Sequence, residues 1–271
     1  MGDSLTGHEK RRPCATPTLC SALGALLCCF SLLQAQKQPV RVAAAADLKF
    51  AMEELGKDFE EKTGTKVEVS YGSSGNFFSQ LQNGAPFDLF FSADVAYPRK
   101  LEAQGFVEPG TLRDYALGRI VIWMPGDSSV DLAKEGWNAL LDLRVQKIAI
   151  ANPELAPYGR AAASALKNAG IYRQVAAKLV YGENISQAAQ FVQSGNAQAG
   201  IIARSLAFSP GMKGGKVCEI PAEMHPRIEQ GAALLKNARN RSAALAFLNF
   251  VKSDAGIKIL EQHGFSRPAS N

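Results

Sequence analysis

Three observations predict an α/β fold with helices covering largely parallel sheets. Short apolar runs of strand length alternate with segments whose apolar residues recur at helical spacing. Glycines close most of the helical segments, as expected of helix C-termini. The chain has 271 residues, enough to bury a large core in one or two domains. The alternation specifies helix-covered strands. It leaves open whether they form one sheet or two.

The first 35 residues read as a leader rather than as part of the fold. Lys10, Arg11 and Arg12 precede an apolar run from Leu19 to Leu33, which ends in small residues before Gln36. Basic, then apolar, then small is the order of a secretory signal peptide. The apolar run is short for a membrane anchor. Cys28 and Cys29 suggest a lipoprotein, but Leu27 stands where a small residue should precede the lipidated cysteine.

Val40–Ala45 is the first predicted strand. Leu48, Met52, Leu55 and Phe59 then share a helical face, which Gly64 stops. A strand at 66–71, a short helix at 77–82 and a buried strand at 88–92 follow, and Leu101 before Gly105 marks another helix. A strand at 119–124 is closed by Pro125-Gly126. Beyond it come a short helix at 137–141, a strand at 147–151, helices at 160–169 and 185–193, and a strand at 199–203. A return strand at 229–235 and helices at 242–252 and 254–263 complete the chain.

Charge and cysteine content exclude several classes. The formal charge of +5 falls to +4 once the three basic and two acidic residues of the leader are removed. Basic residues are mixed along the chain with no stripe of interleaved aromatics, so a nucleic-acid site has no support. Four of the five cysteines lie in the leader, leaving Cys218 and no internal disulfide. No later apolar run is long enough to span a membrane. His8, His225 and His263 are scattered and make no metal-ligand pattern. No nucleophile elbow, zinc-protease pair or assignable triad is present, so the chain is not read as an enzyme.

Four turns carry the candidate chemistry. In the first, Ala43 to Ala46 lead to Asp47, a natural N-cap for a helix beginning at Leu48. The second, Gly72-Ser73-Ser74-Gly75-Asn76, can form a nest of backbone donors. The third runs from Asn152 to Arg160 and holds Pro157, Tyr158 and Gly159. The fourth runs from Gly182 to Gln187, where Asn184 and Gln187 resemble a capping box. Each also reads as ordinary capping or packing when taken alone. Together they place four helix N-termini, which favour negative charge, with no lysine or arginine clamp. Neutral donors of this kind can hold a fully ionised oxyanion, provided every oxygen is hydrogen-bonded.

With these landmarks the chain resembles the periplasmic molybdate-binding proteins of ABC transporters. The resemblance runs from about Val40 to Phe265 and rests on Ala44-Ala45-Ala46-Asp47-Leu48, Gly72-Ser73-Ser74-Gly75 and the block Gly84 to Asp94. Asn152-Pro153, Ala156-Pro157-Tyr158-Gly159, Ala199-Gly200-Ile201-Ile202 and Phe247-Leu248 extend it. It implies a type II periplasmic binding protein, with two α/β lobes joined by two crossing strands and the anion in the cleft. Lobe one would comprise 36–120 and 228–271, and lobe two 121–227. It further implies a periplasmic monomer, without a cofactor, that captures molybdate or tungstate and delivers it to a transporter permease.

The resemblance also implies a ligand set of Asp47, Ser73, Ser74, Tyr158 and Ile185. Ser74 matches the family's serine of the second turn, with Ser73 assisting through its N–H. Ile185 matches a position used through its backbone N–H. Tyr158 falls where some members have alanine and others a ligand tyrosine, and Ala203 where some supply a tyrosine hydroxyl. Asp47 is the main departure, since the family commonly has a serine or threonine there. A carboxylate would repel a dianion. Asp47 would therefore turn back to cap its helix, be protonated on binding, or accept a proton from an anion such as hydrogen phosphate. The last would shift specificity towards phosphate, and sulfate is a further alternative. Asp88 and Asp94 are read as structural braces beside the cleft.

Overall fold

The computed structural model describes residues 38–268. The predicted signal peptide, with His8 and the leader cysteines, lies outside these residues. Along the chain the elements are β1 (Val40–Ala45), α1 (Lys49–Thr63), β2 (Val67–Gly72), α2 (Ser74–Gln82), β3 (Leu89–Ser92), α3 (Ala96–Ala103), β4 (Arg113–Gly118) and β5 (Ile120–Met124). Then come α4 (Leu132–Glu135), β6 (Ile148–Ala151), α5 (Pro157–Asn168), α6 (Tyr172–Val175), β7 (Leu179–Gly182), α7 (Ile185–Gln193), β8 (Ala199–Ala203) and α8 (Arg204–Ala207). The last are β9 (Lys216–Glu219), β10 (Ile228–Leu234), α9 (Arg241–Val251) and α10 (Asp254–Gln262).

The strands form two five-stranded sheets, ordered β2-β1-β3-β10-β4 and β7-β6-β8-β5-β9. The chain crosses from the first to the second between β4 and β5, and returns between β9 and β10. β1 pairs in parallel with β2 and β3, and β6 with β7 and β8. The sheets are nevertheless mixed rather than largely parallel. β10 runs antiparallel to β3 and β4, and β5 antiparallel to β8 and β9. Chain crossing explains the difference: β5 and β10 each enter from the other sheet rather than by a helical return within their own, and each runs antiparallel to both of its neighbours.

Central strands are buried on both faces, as apolar runs require. β3, β5, β6 and β8 are buried at every position. The first sheet is covered by α1, α9 and α10 on one side, where Met52, Leu55, Phe59, Phe247 and Leu248 pack against Val42, Ala44 and Phe91. Phe77, Leu81 and Leu101 cover the other face. The second sheet is enclosed by α5, α7 and neighbouring loops. Ala45, Ala46 and Ala93 belong to the first lobe yet pack into this second core. The alanine run therefore lets the lobes approach one another.

Candidate functional site

The four turns all follow the C-terminal ends of parallel strands: β1 and β2 in one lobe, β6 and β7 in the other. Crevices at such strand ends are where open α/β sheets bind ligands. Each turn of one lobe is hydrogen-bonded to each turn of the other. Tyr158 Oη donates to Asp47 Oδ2 at 2.8 Å, and Ser186 Oγ donates to the Ala46 carbonyl at 3.0 Å. Gly75 N donates to the Leu155 carbonyl at 3.0 Å, and Asn76 Nδ2 donates to Glu183 Oε1 at 3.0 Å. Arg160 Nη2 and Asp94 Oδ2, 2.6 Å apart, add an ion pair between the lobes beside these turns.

All five predicted site residues are buried. Ser73 is the N-cap of α2, its Oγ accepting from Asn76 N at 3.2 Å. Ser74 Oγ accepts from Ala93 N at 2.9 Å. Among the described hydrogen bonds that oxygen is only an acceptor, so its own proton is available to a ligand. Ile185 opens α7, and Asn184 Oδ1 caps Gln187 N at 3.0 Å. The return half of the expected capping box is displaced: Gln187 Oε1 accepts from Glu183 N, not from Asn184 N, at 2.6 Å. Donors in the first turns of α2 and α7 have no intrahelical partner and lie at the positive ends of their helices.

Asp47 does not cap α1. It sits inside a 3-10 turn, Ala46–Leu48, with no side-chain cap bond at either helix start. Its carboxylate faces the other lobe instead. Oδ2 accepts from Tyr158 Oη and from Gln230 Nε2, the latter at 2.6 Å. Gln230 Nε2 also donates to Tyr158 Oη at 2.9 Å, and Gln230 Oε1 accepts from Tyr115 Oη at 2.6 Å. Asp47 Oδ1 is buried without a hydrogen-bond partner. Burial pushes the Asp47 carboxyl up to about 6, partly opposed by the Gln230 and Tyr158 bonds and by its own backbone N–H. The Tyr158 hydroxyl, expected to face the anion, is committed to Asp47. Its own ionisation is pushed well up by burial and by the adjacent Asp47 charge.

Gly118, the last residue before the first crossing, makes room for this network. A methyl group there would lie 2.3 Å from the Tyr158 hydroxyl and 3.0 Å from Gln230 Nε2. Gln230 and Tyr115 were not singled out from the sequence. A glutamine at the head of the apolar run Gly231 to Leu235 was the available signal for the first. Tyr115 lies on a strand the apolar pattern did not reveal. Asp88 and Asp94 act as braces: Asp88 accepts from Arg41 N, Arg239 N and Asn240 N, and Asp94 Oδ1 accepts from Ala96 N. No group of three metal-ligating side chains occurs among the described residues.

Residues 40–266 match the family model described as bacterial extracellular solute-binding protein. The chain belongs to that family. The solute-binding protein is 37% identical to the molybdate-binding protein ModA of Rhodobacter capsulatus, over 86% of this chain and 90% of the relative. It is 38% identical to ModA of Azotobacter vinelandii, over 90% and 95% of the two chains. The solved Azotobacter vinelandii periplasmic molybdate-binding protein superposes with a TM-score of 0.79 at 32% identity, covering 84% of this chain and 99% of that one. The sulfate-binding protein SubI of Mycobacterium tuberculosis shares the fold, with a TM-score of 0.69 at 18% identity. The solute-binding protein is thus a two-lobed α/β protein of the periplasmic binding type, and its relatives are binding proteins rather than enzymes.

Proposed function

We propose that this protein captures molybdate, and tungstate with it, in the periplasm and delivers the anion to an ABC transporter permease. The observation that carries the reading is the pairwise meeting of four turns at strand ends, two from each lobe. Ser74 would donate its hydroxyl proton, Ser73 and Ile185 their backbone N–H groups. Neutral donors suit a fully ionised tetrahedral anion, whose size is read by the spacing of the turns. The named relatives bind molybdate, which supports the choice of anion. Tungstate matches molybdate in charge and nearly in size, so the same donors accept both. Export by the N-terminal leader, action as a monomer and the absence of catalysis belong to the same reading.

Asp47 favours a second reading. A buried carboxylate with an unpartnered oxygen could accept a proton from an anion such as hydrogen phosphate. Calorimetric titration of the anion-free protein with molybdate, tungstate, sulfate and phosphate separates the two. Tight binding of the first pair, with the others silent, is expected. Phosphate binding that strengthens as pH falls would replace the molybdate reading.

A further inference from the structure

The Asp47 carboxyl stands between two lobes, and its two oxygens differ. Oδ2 receives Tyr158 from α5 and Gln230 from β10. Oδ1 receives no hydrogen bond from any other described residue. A buried acceptor without a partner is a standing cost, and a proton on Oδ1 would make it a donor that a bound anion can satisfy, without disturbing either bond to Oδ2. The peptide carbonyls of the same turn are tied to the second lobe: Ser186 Oγ donates to Ala46 and Ser205 Oγ to Asp47. The backbone that carries the side chain is therefore fixed against the second lobe.

The groups around it leave the charge uncompensated. The turn packs against α1, β2, α7 and α8. On these, Lys49 Nζ lies over the Phe50 ring, Tyr71 Oη donates to the Lys49 carbonyl, and Arg204 Nε is held by Glu219. Across the network lie the neutral hydroxyls of Tyr158 and Tyr115, both harder to ionise than an ordinary tyrosine. No cation reaches the carboxylate among the described residues. Bringing a dianion to the same turns places a second negative charge nearby, and like charges that close raise a carboxyl further.

Resting on the oxyanion reading, we propose that capture of the dianion takes one proton from solvent onto Asp47 Oδ1, turning a repelling carboxylate into a neutral hydrogen-bond donor. The acid would then fill the place where the family resemblance implies a hydroxyl, and binding would be linked to pH. Burial between the joined lobes already holds this carboxyl at about 6, so the proton must be acquired at neutral pH and is already present in mild acid.

Molybdate titrations at about pH 7.5, in two buffers of different ionisation enthalpy, read the proton number directly. Uptake approaching one proton per anion is expected, with affinity falling about tenfold per pH unit above neutrality. Below about pH 5 both effects should vanish. Asp47→Asn, which carries a permanent donor, should bind without proton uptake and with little pH dependence. Its folding is checked by thermal melting, and the proton number of the unaltered protein tests the idea independently. Tight binding with no uptake, or uptake that survives in Asp47→Asn, overturns the proton linkage while leaving the oxyanion reading intact. Silence towards all four oxyanions overturns both.

Discussion

Asp47 carries a stability signature that needs no ligand. Its folded carboxyl titrates near 6, above the ordinary value of about 3.9. A carboxyl raised on folding favours the native state most below its unfolded value, and that advantage is lost as pH rises through the folded value. The anion-free protein should therefore lose roughly 3 kcal/mol from this group between about pH 4 and pH 7. Asp47→Asn should lack that loss. Melting temperatures of the two proteins across this range check it, and parallel curves would show that the carboxyl is not buried as described. The sequence revealed that Asp47 was anomalous but not whom it would meet. Its partners stand 111 and 183 residues away, and nothing local encodes such a contact. The N-cap expectation was the best local reading, and it yielded to a bond from the opposite lobe.

At the scale of elements, Asp88 fixes how β1, β3 and the entry to α9 sit together. Its Oδ2 takes the Arg41 N–H at 2.8 Å, and its Oδ1 takes Arg239 N at 2.6 Å. Replacing it with alanine strands these part-buried donors, and the expected loss is about 1–3 kcal/mol, the cost of one unsatisfied buried group. Urea unfolding should show a lower midpoint at unchanged slope. A loss below about 1 kcal/mol would mean that water reaches these groups. The elements legible in the sequence were those buried on both faces, such as β3 and β8. The strands it did not reveal, β4, β7 and β9, are all sheet edges with partly exposed positions. An edge strand of four to six residues lacks the unbroken apolar run that betrays a central one. The short helix expected at 137–141 forms as a 3-10 turn, Gly136–Leu140.

For the whole molecule, Gly75 sets how near the lobes come. Its N–H meets the Leu155 carbonyl at 3.0 Å, and an added methyl group would lie 2.6 Å from that oxygen. Gly75→Ala should hold the lobes apart at this point. Solution scattering should give a larger radius of gyration in the presence of anion, and affinity should drop by tenfold or more, about 1.4 kcal/mol. Unchanged scattering and affinity would show that this approach does not govern closure. The pairing of lobes was not visible in the periodicity, which specifies sheets locally but not which turns face each other.

The material between the lobes has a further consequence. Beside the packed alanines, Phe50 and Tyr71 and the Arg160–Asp94 pair, the polar contacts joining the four turns are single hydrogen bonds: a tyrosine to a carboxylate, a serine to a carbonyl, an amide to a carbonyl and an amide to a carboxylate. Water can replace each of these one at a time, whereas parting two oily faces would expose both at once. The jaws can consequently be prised apart by a modest pull from outside. A carrier that must surrender its cargo on every cycle is better served by such a seam than by a tighter one.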